Sequence, residues 1–200
     1  VINLFMSITF GILLYIFGVD IIKFFNIKSE TVNSLASSYL NIVILGLPFT
    51  FLNPLFSGVF NGSGNSKVPF IANSAGLIIN IVLDPILIYG YFGLPKYGVS
   101  GAAIATTLSQ MIVTIIFIVF SFFDGKIVKG FNLVKNFSKA IFKEVIRLGV
   151  PTAFKSCIFA FISTILLRII ANWGESAIAA ENVAVQIEAI NWMTVEGFSI

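Results

Sequence analysis

The sequence has no histidine, a single cysteine, and only 10% charged residues among its 200. Without histidine, a Cys/His metal centre and an imidazole base are both excluded. One thiol, Cys157, allows no intramolecular disulfide, and its apolar surroundings predict a small buried packing residue. A soluble domain carries about 25% charged residues. The scarcity here, together with 58% hydrophobic residues and a mean hydropathy of +1.00, excludes an ordinary soluble domain. The net charge of +3 is too small to argue for a nucleic-acid partner. The chain starts at Val1 without an initiator methionine and ends at Ile200 within a helical pattern, which reads as an internal stretch of a longer protein. A secretory leader is not expected at such a start.

What the chain does have is long apolar runs, and an all-α, polytopic membrane bundle follows. About 20 apolar residues span a bilayer as a helix. Spans are predicted at about 1–25, 32–60, 68–89, 99–123 and 148–173, with a sixth from about 176 to the end. Residues 31–66 carry no charge, although Pro48 and Pro54 should bend the second span. The segment 124–147 holds Lys126, Lys129, Lys135, Lys139, Lys143 and Arg147, and basic loops stay in the cytoplasm. That orientation puts the turn Asn61–Lys67 inside and the connections carrying Lys28 and Lys96 outside. Within the basic segment, Val134, Phe137, Ile141 and Val145 recur at helical spacing, with Lys135, Lys139 and Lys143 on another face. This predicts an amphipathic connector on the inner membrane surface.

The most informative polar residue is Asp84, within the aliphatic run 71–89. A carboxylate in hydrocarbon costs about 2.5–3.5 kcal/mol on insertion scales. Asn80 lies one helical turn before it and Asn73 a further two turns back, on the same stripe. Pro85 follows directly and deprives the Ile81 carbonyl of its usual partner. Carboxylate, amide and loose carbonyl make an oxygen-rich pocket suited to a hard cation or a proton. A competing reading has the amides bonding neighbouring helices while Asp84 reaches toward the outer surface. The fourth span carries Thr106, Gln110 and Thr114 at intervals of four, as helix glue or as the facing wall of a shared cavity. Gly98, Gly101, Ala102 and Ala103 would allow that close approach. Lys155 and Arg168 fit snorkelling positions, and Glu181 and Glu188 share one face of the last helix, where Glu188 is a further candidate cavity residue.

Several stretches together resemble the MATE (multidrug and toxic compound extrusion) family: Gly46-Leu-Pro-Phe-Thr50, Phe60 to Pro69, Asn80-Ile-Val-Leu-Asp-Pro85, Gly98 to Thr106, Arg147-Leu-Gly-Val-Pro151, and Gln186-Ile-Glu with the Glu-Gly-Phe-Ser ending. The resemblance implies a twelve-helix, two-lobed transporter in the cell membrane, not an enzyme. Residues 1–123 would be N-lobe helices three to six, 124–147 the cytoplasmic connector, and 148–200 the start of the C-lobe with helices seven and eight. It implies a monomeric antiporter at full length that exports cationic or amphipathic drugs in exchange for H⁺ or Na⁺ by alternating access, with no other cofactor and no nucleic acid. A flippase for lipid-linked oligosaccharides of the same broad superfamily is the alternative, although it would favour a more basic cavity. The family's N-lobe cation site maps onto Asn80, Asp84 and Thr106, with Asn73, Gln110 and Glu188 as candidate cavity-lining residues. Two departures stand out. The family's inner turn often reads Arg-Gly-x-Gly-Asp-x-Lys, whereas here Asn61 and Asn65 replace the charge pair. The glutamate that one sodium-using branch carries after Gly-x-Pro is missing from Thr152–Phe161, where Lys155 stands instead.

The topology is directly testable. In a Cys157→Ser background of the full-length protein, Lys129→Cys should react with a membrane-impermeant maleimide only from the cytoplasmic side, and Lys96→Cys only from outside. The opposite pattern would reverse the orientation.

Overall fold

The computed structural model describes residues 2–25, 29–124 and 139–198. Among them the chain forms α1 (Ile2–Phe24), α2 (Glu30–Gly62), α3 (Lys67–Tyr89), a short 3-10 turn (Tyr91–Gly93), α4 (Val99–Asp124), α5 (Lys139–Ala171) and α6 (Glu175–Phe198). Five of these helices, α1 to α5, are long and apolar enough to cross a membrane. The chain is therefore a multi-pass membrane protein. A backbone in hydrocarbon must satisfy its own hydrogen bonds, and the helix is the local way to do so. The helices run unbroken through Pro48 and Pro54 in α2, Pro85 in α3 and Pro151 in α5.

The chain divides into two compact units: α1 as far as Asp20 with α2, α3 and α4, and then the end of α1 with α5 and α6. In the first unit α4 packs along both α2 and α3. Lipid gives no hydrophobic drive for helix association, so close contact relies on small residues and interhelical hydrogen bonds. Gly101 supplies one such contact, because a Cβ there would lie 2.5 Å from the Leu87 carbonyl oxygen. Gly76 of α3 leaves the space that Val113 of α4 fills, and Gly46 of α2 faces the Thr107 side chain. Ala103 and Ala105 are fully buried.

The link from α3 to α4 explains why the two lie side by side. Gly90 ends α3 in the left-handed conformation at φ 74°, and its N–H bonds to Ile86 O at 3.0 Å. The chain then turns back, and the N–H groups of Tyr97 and Gly98 bond to Leu87 O and Ile88 O at 3.1 and 3.2 Å. These bonds satisfy carbonyls that the helix end would otherwise leave open. At the opposite end of the unit, Phe117 is completely buried, with Phe56 and Phe60 stacked on it at centroid distances of 5.6 and 5.8 Å. Val68, Ala72 and Val113 complete that core.

The second unit differs from expectation in three respects. The fifth helix starts at Lys139, so the described end of the basic connector, Lys139 to Arg147, continues into the span with no break near residue 148. Residues 125–138, including Val134, Lys135 and Phe137 of the expected amphipathic helix, lie outside the described residues. The last helix forms as expected but is not among the five span-like helices. Glu181, Asn182, Gln186, Glu188 and Asn191 lower its apolar character. Cys157, expected to be buried, is exposed on α5, whose described side chains pack far less extensively than those of α4. Arg168 is placed with its guanidinium 4.1 Å over the Phe24 ring, a cation–π contact within this unit.

Replacing Gly101 with valine drives new atoms into the α3 backbone. Overpacking of this kind costs roughly 1–3 kcal/mol and should lower the thermal transition of the detergent-purified full-length protein. Gly58→Ala, where no heavy atom lies within 4 Å of the added carbon, should not lower it. Equal transitions in the two variants would contradict the close-packing account.

Candidate functional site

Helical periodicity places Asn73, Gly76 and Asn80 on one stripe of α3, and Thr106, Ser109 and Gln110 on one stripe of α4. Because the two helices are clamped together at Gly101–Leu87 and Gly76–Val113, these stripes face each other. They line a cavity of about 270 Å³. Asn73, Asn80, Thr106 and Gln110 therefore meet as the spacing suggests.

Asp84 is placed one turn beyond Asn80 on the same stripe, next to the cavity but not among the residues lining it. Its Oδ1 is buried and accepts no hydrogen bond, and Asn80 Nδ2 is likewise buried and donates none. Leaving a buried polar atom unsatisfied costs about 1–3 kcal/mol, more when it is charged. Two such atoms one turn apart mark a place where a further group can be accommodated. Of the two, only the Asp84 oxygen suits a proton or a monovalent cation, whereas Asn80 Nδ2 is a donor and suits an acceptor. Hard cations take oxygen ligands of this kind.

Thr114 does not line this cavity. Thr114 is buried and its Oγ1 donates to Asn53 Oδ1 at 2.7 Å, away from the cavity lining. Glu188 belongs to the second unit, where it is exposed and accepts a hydrogen bond from Trp192 Nε1 at 3.2 Å.

Asn53 was not singled out in the sequence, although a signal existed: it is an amide in the charge-free stretch 31–66, directly before Pro54. It is 5% exposed. Its Nδ2 donates to Gln110 Oε1 at 2.7 Å and to Gln110 O at 3.0 Å. Ser109 was also overlooked; its hydroxyl donates to Ala105 O at 2.8 Å within α4, leaving the residue at the cavity wall. On the rim, Asn73 Nδ2 lies 3.5 Å from Ser57 Oγ, the outer limit of a hydrogen bond.

Comparison with known proteins agrees with this architecture. The profile of the MatE family matches residues 1–86. The chain is 29% identical over 177 residues to the probable multidrug resistance protein NorM of Thermotoga maritima, covering 88% of this chain and 37% of that protein. It is 27% identical over 160 residues to the multidrug export protein MepA of Staphylococcus aureus, covering 80% of this chain and 34% of that one. A crystal structure described as MATE in the bent conformation superposes with a TM-score of 0.72 at 24% identity, over 94% of this chain and 42% of the other. The chain is similar to the MatE family over its first 86 residues and shares the fold of MATE transporters. An inward-facing multidrug resistance MATE transporter shares the fold as well, with a TM-score of 0.62 at 24% identity over 85% of this chain and 36% of the other. The chain spans little more than a third of the length of the curated relatives above.

The hydrogen-bond network of Asn53, Gln110 and Thr114 makes a stability prediction. Thr114→Val leaves Asn53 Oδ1 buried without its donor, which should cost roughly 1–3 kcal/mol. A thermal melt of the full-length protein reads this loss, and an unchanged transition would show that the bond contributes nothing.

Proposed function

We propose that this chain forms part of a cation-coupled multidrug efflux antiporter of the cell membrane, with Asp84, Asn80 and Thr106 serving the coupling cation. The observation that carries the reading is the meeting of Asn80 and Thr106, from separate helices, at one cavity, with an unpartnered Asp84 oxygen one turn away. The names of the relatives support multidrug export as the activity of the whole protein. They give no such support to lipid-linked sugars as cargo.

The proposed chemistry is competition for one negative charge. A carboxylate beside such a cavity attracts a proton, Na⁺ or a cationic drug, but neutralises only one positive charge at a time. Binding the coupling ion from outside therefore weakens the hold on the drug, as exchange requires. The same event can drive the conformational step. Neutralising a carboxylate in hydrocarbon is worth about 2.5–3.5 kcal/mol on insertion scales, or roughly two orders of magnitude in a two-state equilibrium. Alternating access then requires the ionised and neutral forms of Asp84 to favour different arrangements of the complete transporter.

Asp84→Asn removes the charge and keeps the shape. In cells expressing the full-length protein, this variant should lose drug efflux while membrane expression stays intact. Undiminished drug resistance would sink the proposal. Proteoliposomes of the wild type, given a pH gradient and a Na⁺ gradient in turn, should take up drug under only the gradient of the coupling ion.

A further inference from the structure

We infer that Asn53 is a positioning residue that turns the Gln110 carboxamide so that its NH2 group, rather than its oxygen, faces the cavity. This deepens the efflux reading and rests on it, because the cavity must be a drug-binding space for the orientation to select a ligand.

A backbone carbonyl can only accept. The side-chain atom of Asn53 that lies 3.0 Å from Gln110 O must therefore be the amide nitrogen. The reverse assignment would set two acceptors against each other in a buried site. With Nδ2 fixed there, the Gln110 side-chain atom 2.7 Å from it must be the oxygen Oε1. Asn53 Oδ1 is then the atom facing Thr114, whose hydroxyl donates to it at 2.7 Å while also lying 3.0 Å from Gln110 O. The chain of bonds thus has one consistent direction, anchored on the main chain of α4.

Gln110 spends its oxygen on α2, and its Nε2 keeps two N–H groups. Gln110 also lines the cavity between α3 and α4. The α4 wall at this position consequently presents donors, while Asp84 on the α3 stripe supplies negative charge. Labour is divided between the helices: α3 attracts a cation, and Gln110 of α4 recognises a hydrogen-bond acceptor on the same ligand, a carbonyl or carboxylate oxygen. With Asn53 holding its oxygen toward α2, Gln110 turns donors to the cavity and favours an acceptor over a bare metal cation. The ligand class selected is a cation that also carries an acceptor oxygen.

The test measures dissociation constants of the purified full-length protein for two probes. Norfloxacin carries an ammonium group together with ketone and carboxylate oxygens; tetraphenylphosphonium is a cation with no acceptor. Asn53→Leu and Gln110→Leu should each weaken norfloxacin roughly fivefold to tenfold, the scale of one hydrogen bond, and tetraphenylphosphonium less than about twofold on the same scale. Because Asn53 acts through Gln110, the double variant should bind norfloxacin no more weakly than Gln110→Leu alone. Equal losses for both probes, or additive losses in the double variant, would overturn the assignment. Should Asn53→Leu fail to fold, Gln110→Glu decides instead, since it replaces the donor by a second oxygen. Weakened norfloxacin with tetraphenylphosphonium held or tightened supports the inference, and unchanged norfloxacin overturns it. A wild-type protein that binds neither probe would overturn the efflux reading itself, and this inference with it.

Discussion

The first unit depends on how closely α4 can approach its two neighbours. The contact exists because Gly101 lets α4 reach the Leu87 backbone, Gly76 makes room for Val113, and Gly46 makes room for Thr107. In a bilayer these contacts cannot be replaced by hydrophobic burial, because lipid tails solvate apolar side chains equally well. A side chain at any of these glycines would separate the helices, and two consequences would follow together. The polar stripes of α3 and α4 would no longer share a cavity, and Asn53 would lose its reach to Gln110.

Polar groups in this unit are arranged in two ways. In the Asn53–Gln110–Thr114 set, the Asn53 amide and the Gln110 oxygen are matched across α2 and α4, and only the Gln110 NH2 group is left toward the cavity. The Asn80–Asp84 pair leaves a buried donor and a buried acceptor unmatched. Matched networks rigidify, and unmatched ones are costly unless something completes them. The contrast supports treating the first set as framework and the second as the place where the proposed cation exchange occurs. The aromatic core of Phe56, Phe60 and Phe117 fills the other end of the same helices, away from that pair.

Much of this was legible in the sequence. The bounds of α2, α3 and α4 fall within about two residues of those read from apolar runs, because the intervening turns carry glycine and little else that extends a helix. The meeting of Asn80 with Thr106 and Gln110 was legible from two periodicities and a short connection. Asn53 was not, because the asparagines of α2 (Asn33, Asn41, Asn53 and Asn61) form no stripe that singles it out, and its partner lies 57 residues away. For Thr114 the spacing left helix glue and cavity wall both open, and its bond to Asn53 of α2 makes it glue. The start of α5 could not be read either, because a basic amphipathic segment and the first turns of a membrane helix carry the same pattern.

The central claim is that Asp84 holds either the coupling cation or the drug. Equilibrium binding of tetraphenylphosphonium to the purified full-length protein, measured across pH and Na⁺ concentration, tests it most directly. The account predicts that affinity falls as the coupling ion rises, and that this dependence disappears in Asp84→Asn. A dependence of equal size in the wild type and in the variant would contradict it.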